Sequence, residues 1–271
     1  MLLTSGCSFV WGDELEGCHA DPPKHWDKTF THILAEDMGL EYSCLATCGA
    51  SNHKIFRDLI NWFSGIQPSC AYKHTTPKDT THMVVLWSDL SRNELPYGIE
   101  DSKLGHYHYA NKRYDNITQY NARTVRPVKY FEERIKKAIS ENHRLVDHTY
   151  LRLSIQFLPY MLSIQELCKA NDIQLVQGNF HASNWRKFLL IVKNCEDNEL
   201  WSDYDRMLKA MLGKLDDHSR VGMGKYQCFN TFTNDPKFPE RQLNLFNHPN
   251  EVAHKDYAKY LHTIFKEDIS G

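Results

Sequence analysis

The sequence predicts an α/β protein: a doubly wound parallel sheet with helices on both faces, a three-layer α/β/α plan over one domain of 271 residues. Three observations carry that expectation. Short strand-like runs recur along the chain, at LLT (2–4), LEYSCLA (40–46), HMVVLWS (82–88) and DIQLVQG (172–178); apolar runs of that length suit strands buried on both faces. Segments of helical period lie between them, the alternation that builds parallel sheets. Polar clusters follow the first three runs at what would be their carboxyl ends, where such sheets gather their chemistry.

The first run, Leu2–Thr4, leads at once into Gly6-Cys7-Ser8 of TSGCSFVWGDEL. A strand end there makes Ser8 a candidate site residue. The plain alternative is a turn in which Gly6 supplies backbone freedom and Ser8 caps a helix. Trp26, Phe30, Ile33, Leu34 and Met38 repeat at i, i+4, i+7, i+8 and i+12, the stripe of an amphipathic helix that Gly39 stops. GASNHKIFRDLINWF (49–63) reads as a turn entering a helix, with Ser51 as its N-cap. Helices are also expected over 128–142, 149–171 and 197–213. The last segment, HPNEVAHKDYAKYLHTIF from His248, enters a helix with Pro249 in its first turn.

Composition is globular, 41% hydrophobic and 24% charged, with a net charge of −2 that argues against a chain-wide nucleic-acid or membrane binder. Eight cysteines (7, 18, 44, 48, 70, 168, 195, 228) are scattered without a CxxC pair, the usage of reduced cytoplasmic thiols. No run approaches the ~18 apolar residues of a membrane helix. The start lacks the basic and apolar stretches of a secretory signal, so a cytoplasmic protein, or one carried in a larger assembly, is expected. One segment stands apart as an insertion at about 95–127. Residues 100–127 are rich in Tyr, Asn, His and Arg, and 106–137 holds eight Lys/Arg against three acids. A loop of that length is usually functional; the plain alternatives are a solvated surface insertion or a subunit interface.

Ser8 after the first strand, Gly49 in CGASN after the second, WSDLSRNE after the third and His248 before the last helix form an ordered set. In that set the chain resembles the SGNH (GDSL-type) hydrolases, and within them a phage and bacterial branch with a Gly-Cys-Ser-Phe start. The resemblance runs through TSGCSFVWGDEL, LATCGASNHKIFRDL, VVLWSDLSRNE and HPNEVAHKDYA, most of the chain. It implies a flavodoxin-like α/β/α hydrolase fold and ester hydrolysis with Ser8 as nucleophile. A hydroxyl is a poor nucleophile until a base within hydrogen-bond reach takes its proton, and His248 matches that base. The backbone N–H groups of Ser8 and Gly49 match two oxyanion donors. Asn52, Arg57 and the pair Arg92/Glu94 belong to the same pattern, the Arg/Glu pair being better suited to locking a loop than to chemistry.

Two departures bear on the chemistry. The family's third block offers an Asn whose amide donates to the oxyanion; here the stretch is Trp87-Ser88-Asp89-Leu90, and an ionised Asp89 has no proton to donate. Ser88 would take that place. The family's last block carries an Asp three residues before the His, where this chain has Leu245. Asn244, Asp235 or a backbone carbonyl would then have to orient His248.

Other constellations weigh less. Cys44 and Cys48 with Cys7 and His19 match no common zinc spacing, so buried free thiols are the better reading. His254 competes with His248 as base, but falls within the last helix and reads as a helical histidine. Cys7 as nucleophile in place of Ser8 is a minority reading. The sequence therefore points to a serine ester hydrolase without cofactor or metal, acting on a small ester or an acylated carbohydrate. O-acetyl groups on a sugar are the first class to test. Asn52, Asp89, Arg92, Tyr107, Tyr109 and Arg123 are the candidate substrate-binding residues, because aromatic faces suit sugar rings and arginine suits carboxylates. The rival is a catalytically degenerate protein of the same fold, serving as a phage virion component or a binding protein; virion assembly or a homo-oligomer is the partner expectation. A nucleic-acid role for 106–137 ranks third.

Overall fold

The computed structural model describes residues 1–13, 15–18, 25–48, 50–68, 71–88, 144–179, 202–222, 226–233, 235–237, 239–241 and 248–268. Among them four strands form one parallel sheet: β1 (Leu2–Gly6), β2 (Tyr42–Cys44), β3 (His82–Trp87) and β4 (Gln174–Asn179), in the order β2-β1-β3-β4. Leu3 is paired with Ser43 on one side and Met83 on the other, and Val84 with Val176. Every residue of β1 is buried. A central strand covered on both faces has no use for alternation, so its sequence runs apolar and small rather than in period two.

Helix α1 (Ser8–Trp11) is a single turn, followed by α2 (Phe30–Asp37), α3 (Asn52–Phe63), α4 (Arg144–Ala170), α5 (Ser202–Gly213), α6 (Phe229–Thr233) and α7 (Glu251–Asp268). The route β1-α2-β2 moves outward in one direction, whereas β2-α3-β3 and β3-α4-β4 move in the other. Crossovers between parallel strands are right-handed, so reversal of direction puts α2 on one face and α3 with α4 on the other. The packing agrees, since α2 lies against α7 and α3 against α4. On the first face Phe30 meets Phe229 and Tyr257 edge-on. On the second, Phe56 stacks on Tyr160 with centroids 4.2 Å apart, and Trp62, Phe157, Met161 and Ile164 are fully enclosed. Each such side chain contributes roughly 1.5–3 kcal/mol by leaving water.

Several elements differ from the sequence expectation. The helix expected from Trp26 breaks in two, a 3₁₀ turn at Trp26–Lys28 and then α2. Thr29 adopts an extended conformation between them and accepts from the His32 N–H through its side chain, an N-cap that restarts the helix. Helix α4 is already formed at Arg144, before the expected 149. Ser8 does not cap a helix but is the first residue of one, with Cys7 at the N-cap. Pro249 precedes the last helix rather than entering it: Asn250 accepts from the Ala253 N–H and is the cap. The short α6 has too few residues for a period and was not expected. Ser51 caps α3 through a bond from the Lys54 N–H. The helix expected at 128–142 and the insertion at 95–127 lie outside the described residues. Among the described residues no helix is long and apolar enough to cross a membrane.

Candidate active site

β1 is the point where the sheet's winding reverses. Chain leaving its carboxyl end goes on toward β2, while β3 on its other side is reached from the opposite direction, and at such a switch point open α/β sheets place their sites. Ser8, itself buried, stands at that end of β1. Gly6 lets α1 fold back tightly there, since a Cβ on Gly6 would lie 2.4 Å from Val10 Cγ2 and 2.8 Å from the Leu86 carbonyl. Gly12, at φ +81°, ends the turn in the left-handed region that favours glycine. The Gly12 and Asp13 N–H groups then both donate to the Ser8 carbonyl, at 2.9 and 3.0 Å. Ser8 and Asp13 thus belong to one hydrogen-bonded turn.

His248 Nε2 lies 2.9 Å from Ser8 Oγ, across 240 residues of sequence. Several contacts hold it there. Its ring packs on Phe9 with centroids 5.1 Å apart. Asn250 caps α7 with its carbonyl and donates its amide to the Glu240 carbonyl at 2.9 Å. Arg241, almost fully buried, donates to Asp256 of α7 at 3.0 Å and to the Phe232 carbonyl, with its guanidinium 4.0 Å from the Phe232 ring centre. Lys28 bridges Glu16, just beyond the Ser8–Asp13 turn, and Glu251, the first residue of α7. His248 thus arrives beside a helix end clamped to the segment that carries Ser8.

A carboxylate stands beside this pair. Asp13 Oδ2 is 3.7 Å from His248 Nε2, the same nitrogen that faces Ser8. Asp13 was not among the residues singled out in the sequence, although Gly-Asp directly after a nucleophile turn is the signal that could have found it. Asp235, one of the sequence candidates for orienting His248, instead accepts from the Lys237 N–H in its own turn. Asn244 and Leu245 lie outside the described residues. The Cys48 thiol is pushed up from the ordinary range, by desolvation first and then by the neighbouring Asp13 carboxylate.

The Asn52 amide joins the start of α3 to the end of β3. Its Oδ1 accepts from the Ser88 N–H at 2.7 Å and its Nδ2 donates to the Ser88 carbonyl at 3.1 Å. Ser88 Oγ is buried and without a hydrogen-bond partner among the described residues. Arg57 lies 3.9 Å from Asp58, which also pairs with Lys54. Gly49, Asp89, Arg92, Glu94, Tyr107, Tyr109 and Arg123 lie outside the described residues.

The other candidates take different places. His254 is in the first turn of α7, completely buried, and its Nδ1 accepts from the Phe30 N–H at 3.0 Å. Burial above all, and then His25 and His248, push its pKa down to about 3. It is a neutral core histidine tying α2 to α7. Cys7 is wholly buried, as is Cys44, whose thiol burial pushes up. Among the described residues no cluster of three or more His, Cys, Asp or Glu is arranged to hold a metal ion.

No family model and no curated protein matches the chain. Among solved structures it is similar to a protein assigned to the lipolytic G-D-S-L family from Desulfitobacterium hafniense DCB-2, at 10% identity and a TM-score of 0.44, covering 97% of this chain and 98% of that one. It is similar also to a carbohydrate esterase whose active site is described as having divergent catalytic and non-catalytic binding functions, at 13% identity and a TM-score of 0.42. A third is a carbohydrate esterase family 2 enzyme with a carbohydrate-binding domain from Corynascus thermopiles (Myceliophthora fergusii), at 11% identity and a TM-score of 0.43. These alignments take in 98% and 100% of this chain but span only 64% and 66% of those two proteins. What each of them acts on is a property of that protein.

Proposed function

We propose that this protein is a serine ester hydrolase in which Ser8 attacks an acyl carbonyl and His248 accepts its proton. The observation that carries the reading is the 2.9 Å approach of His248 Nε2 to Ser8 Oγ at the carboxyl end of β1. As the Oγ–carbon bond forms, the hydroxyl proton passes to Nε2 and the carbonyl oxygen becomes an oxyanion. The Ser8 N–H, in the first turn of α1 where amides have no intrahelical acceptor, is one donor for that charge. By the sequence resemblance the Gly49 N–H is a second. Asn52 occupies both main-chain groups of Ser88, which leaves the Ser88 hydroxyl as the third. Protonated His248 then gives its proton to the leaving alcohol, and a water repeats the sequence to release the acid and restore Ser8.

Acyl groups on a carbohydrate are the substrate class this reading favours, on the composition of residues 100–127 with Tyr107, Tyr109, Tyr114 and Tyr120 and the affinity of aromatic faces for sugar rings. The experiment is turnover of p-nitrophenyl acetate and of an acetylated polysaccharide by wild type, Ser8→Ala and His248→Gln. Both variants should lose turnover of the small ester while melting as wild type does. Equal rates in wild type and Ser8→Ala would abandon the hydrolase reading in favour of a binding protein of the same fold.

A further inference from the structure

A histidine that has taken a proton from serine is a cation, and here it forms against the ring of Phe9. A countercharge nearby lowers the energy of that state. In the sequence the position three residues before His248 is Leu245, which offers none. We propose that Asp13 is the electrostatic partner of His248, carried by the nucleophile's own turn rather than by the histidine's segment. This inference rests on the hydrolase reading above.

Geometry gives the arrangement a particular character. Asp13 Oδ2 is 3.7 Å from Nε2, the nitrogen that receives the proton, while Ser8 Oγ is 2.9 Å from the same atom. At that separation Asp13 is beyond ordinary hydrogen-bond length, so it does not hold the proton against the leaving alcohol. It acts through charge, on the side of the ring where positive charge develops. Its position is tied to the nucleophile by backbone: Gly12 turns the chain at φ +81°, and the Asp13 N–H bonds to the Ser8 carbonyl. Asp13 is a positioning group in this sense, stabilising imidazolium without touching the substrate.

The plain alternative is that Asp13 merely closes the turn after Gly12. Charge and turn geometry are separated by two variants, Asp13→Asn, which keeps size and removes charge, and Asp13→Glu, which restores it. Each is measured beside wild type and Ser8→Ala for p-nitrophenyl acetate kinetics, for the rate of Ser8 labelling by a fluorophosphonate probe, and for melting temperature. The labelling forms an Oγ–phosphorus bond and expels fluoride while the hydroxyl proton passes to His248, so it reads the same step without turnover. Because the countercharge is needed only once the proton has moved, Asp13→Asn should lower kcat and the labelling rate about ten- to thirty-fold, roughly 1.4–2 kcal/mol of transition-state stabilisation. KM should stay within about two-fold, and Asp13→Glu should recover at least half of the logarithmic loss. Wild-type kcat and labelling in Asp13→Asn, or a Glu variant no better than Asn, would overturn this inference and leave the hydrolase reading standing. A wild type that neither turns over the ester nor is labelled at Ser8 overturns both.

Discussion

Acidification should destabilise this protein through His254 in a way that a single substitution removes. The ring is completely buried between Phe30 and Phe229. Its Nδ1 accepts from the Phe30 N–H, which commits the ring to its neutral form. Burial, His25 and His248 together hold its folded pKa at about 3, against roughly 6.5 in an unfolded chain. Between those two values the unfolded chain binds a proton that the folded one refuses, so unfolding is favoured as pH falls. The contribution is fully present above about 6.5 and is lost progressively toward about 3. From pH 7 to pH 5 the linkage integral gives a loss of about 2 kcal/mol from this one group. Urea unfolding at pH 7, 6 and 5 measures it, with His254→Gln as reference because the Gln side-chain oxygen can still accept from Phe30. The variant should show a pH dependence shallower by about 2 kcal/mol over that range. If wild type and His254→Gln lose stability in parallel, His254 is not buried as a neutral acceptor and the packing of α2 on α7 is misread.

Three further outcomes follow from contacts around the candidate site. Gly6→Ala should cost about 1–3 kcal/mol in urea unfolding and lower esterase activity with it, because the added methyl would press on Val10 and the Leu86 carbonyl and displace Ser8; an unchanged melt would show that α1 has slack. Asn52→Leu leaves the buried Ser88 N–H and carbonyl without their partner and should destabilise by about 2–4 kcal/mol, whereas a stability equal to wild type would mean that water replaces the amide. Arg241→Met removes the donor to Asp256 and Phe232 and should cost about 2–3 kcal/mol, with kcat falling more than KM rises as the His248 segment loosens; kinetics matching wild type would detach that clamp from the site.

Much of this molecule was legible locally. Apolar runs marked the four strands, because strands buried on both faces leave an unbroken signal in the chain. Ser51 announced the start of α3, since capping is decided by a few neighbouring residues. Ser8 and His248 were singled out less locally, by the ordered set of four motifs and the resemblance that it carries. The break at Thr29 was missed because apolar spacing continues across the 3₁₀ turn while the backbone does not, and the cap that decides it is a side-chain bond. That Ser8 and His248 stand 2.9 Å apart depends on strand order and on which face each crossover takes, and neither leaves a period in the sequence. The same holds for the finer assignments. Asn52 as the clamp on Ser88, His254 as a neutral core acceptor and Asp13 as the carboxylate beside His248 each follow from contacts between segments 36 to 235 residues apart. Residue type and local spacing specify what a side chain is able to do; only tertiary packing decides which distant group it meets, because that meeting is set by the whole sheet and not by its neighbours in the chain.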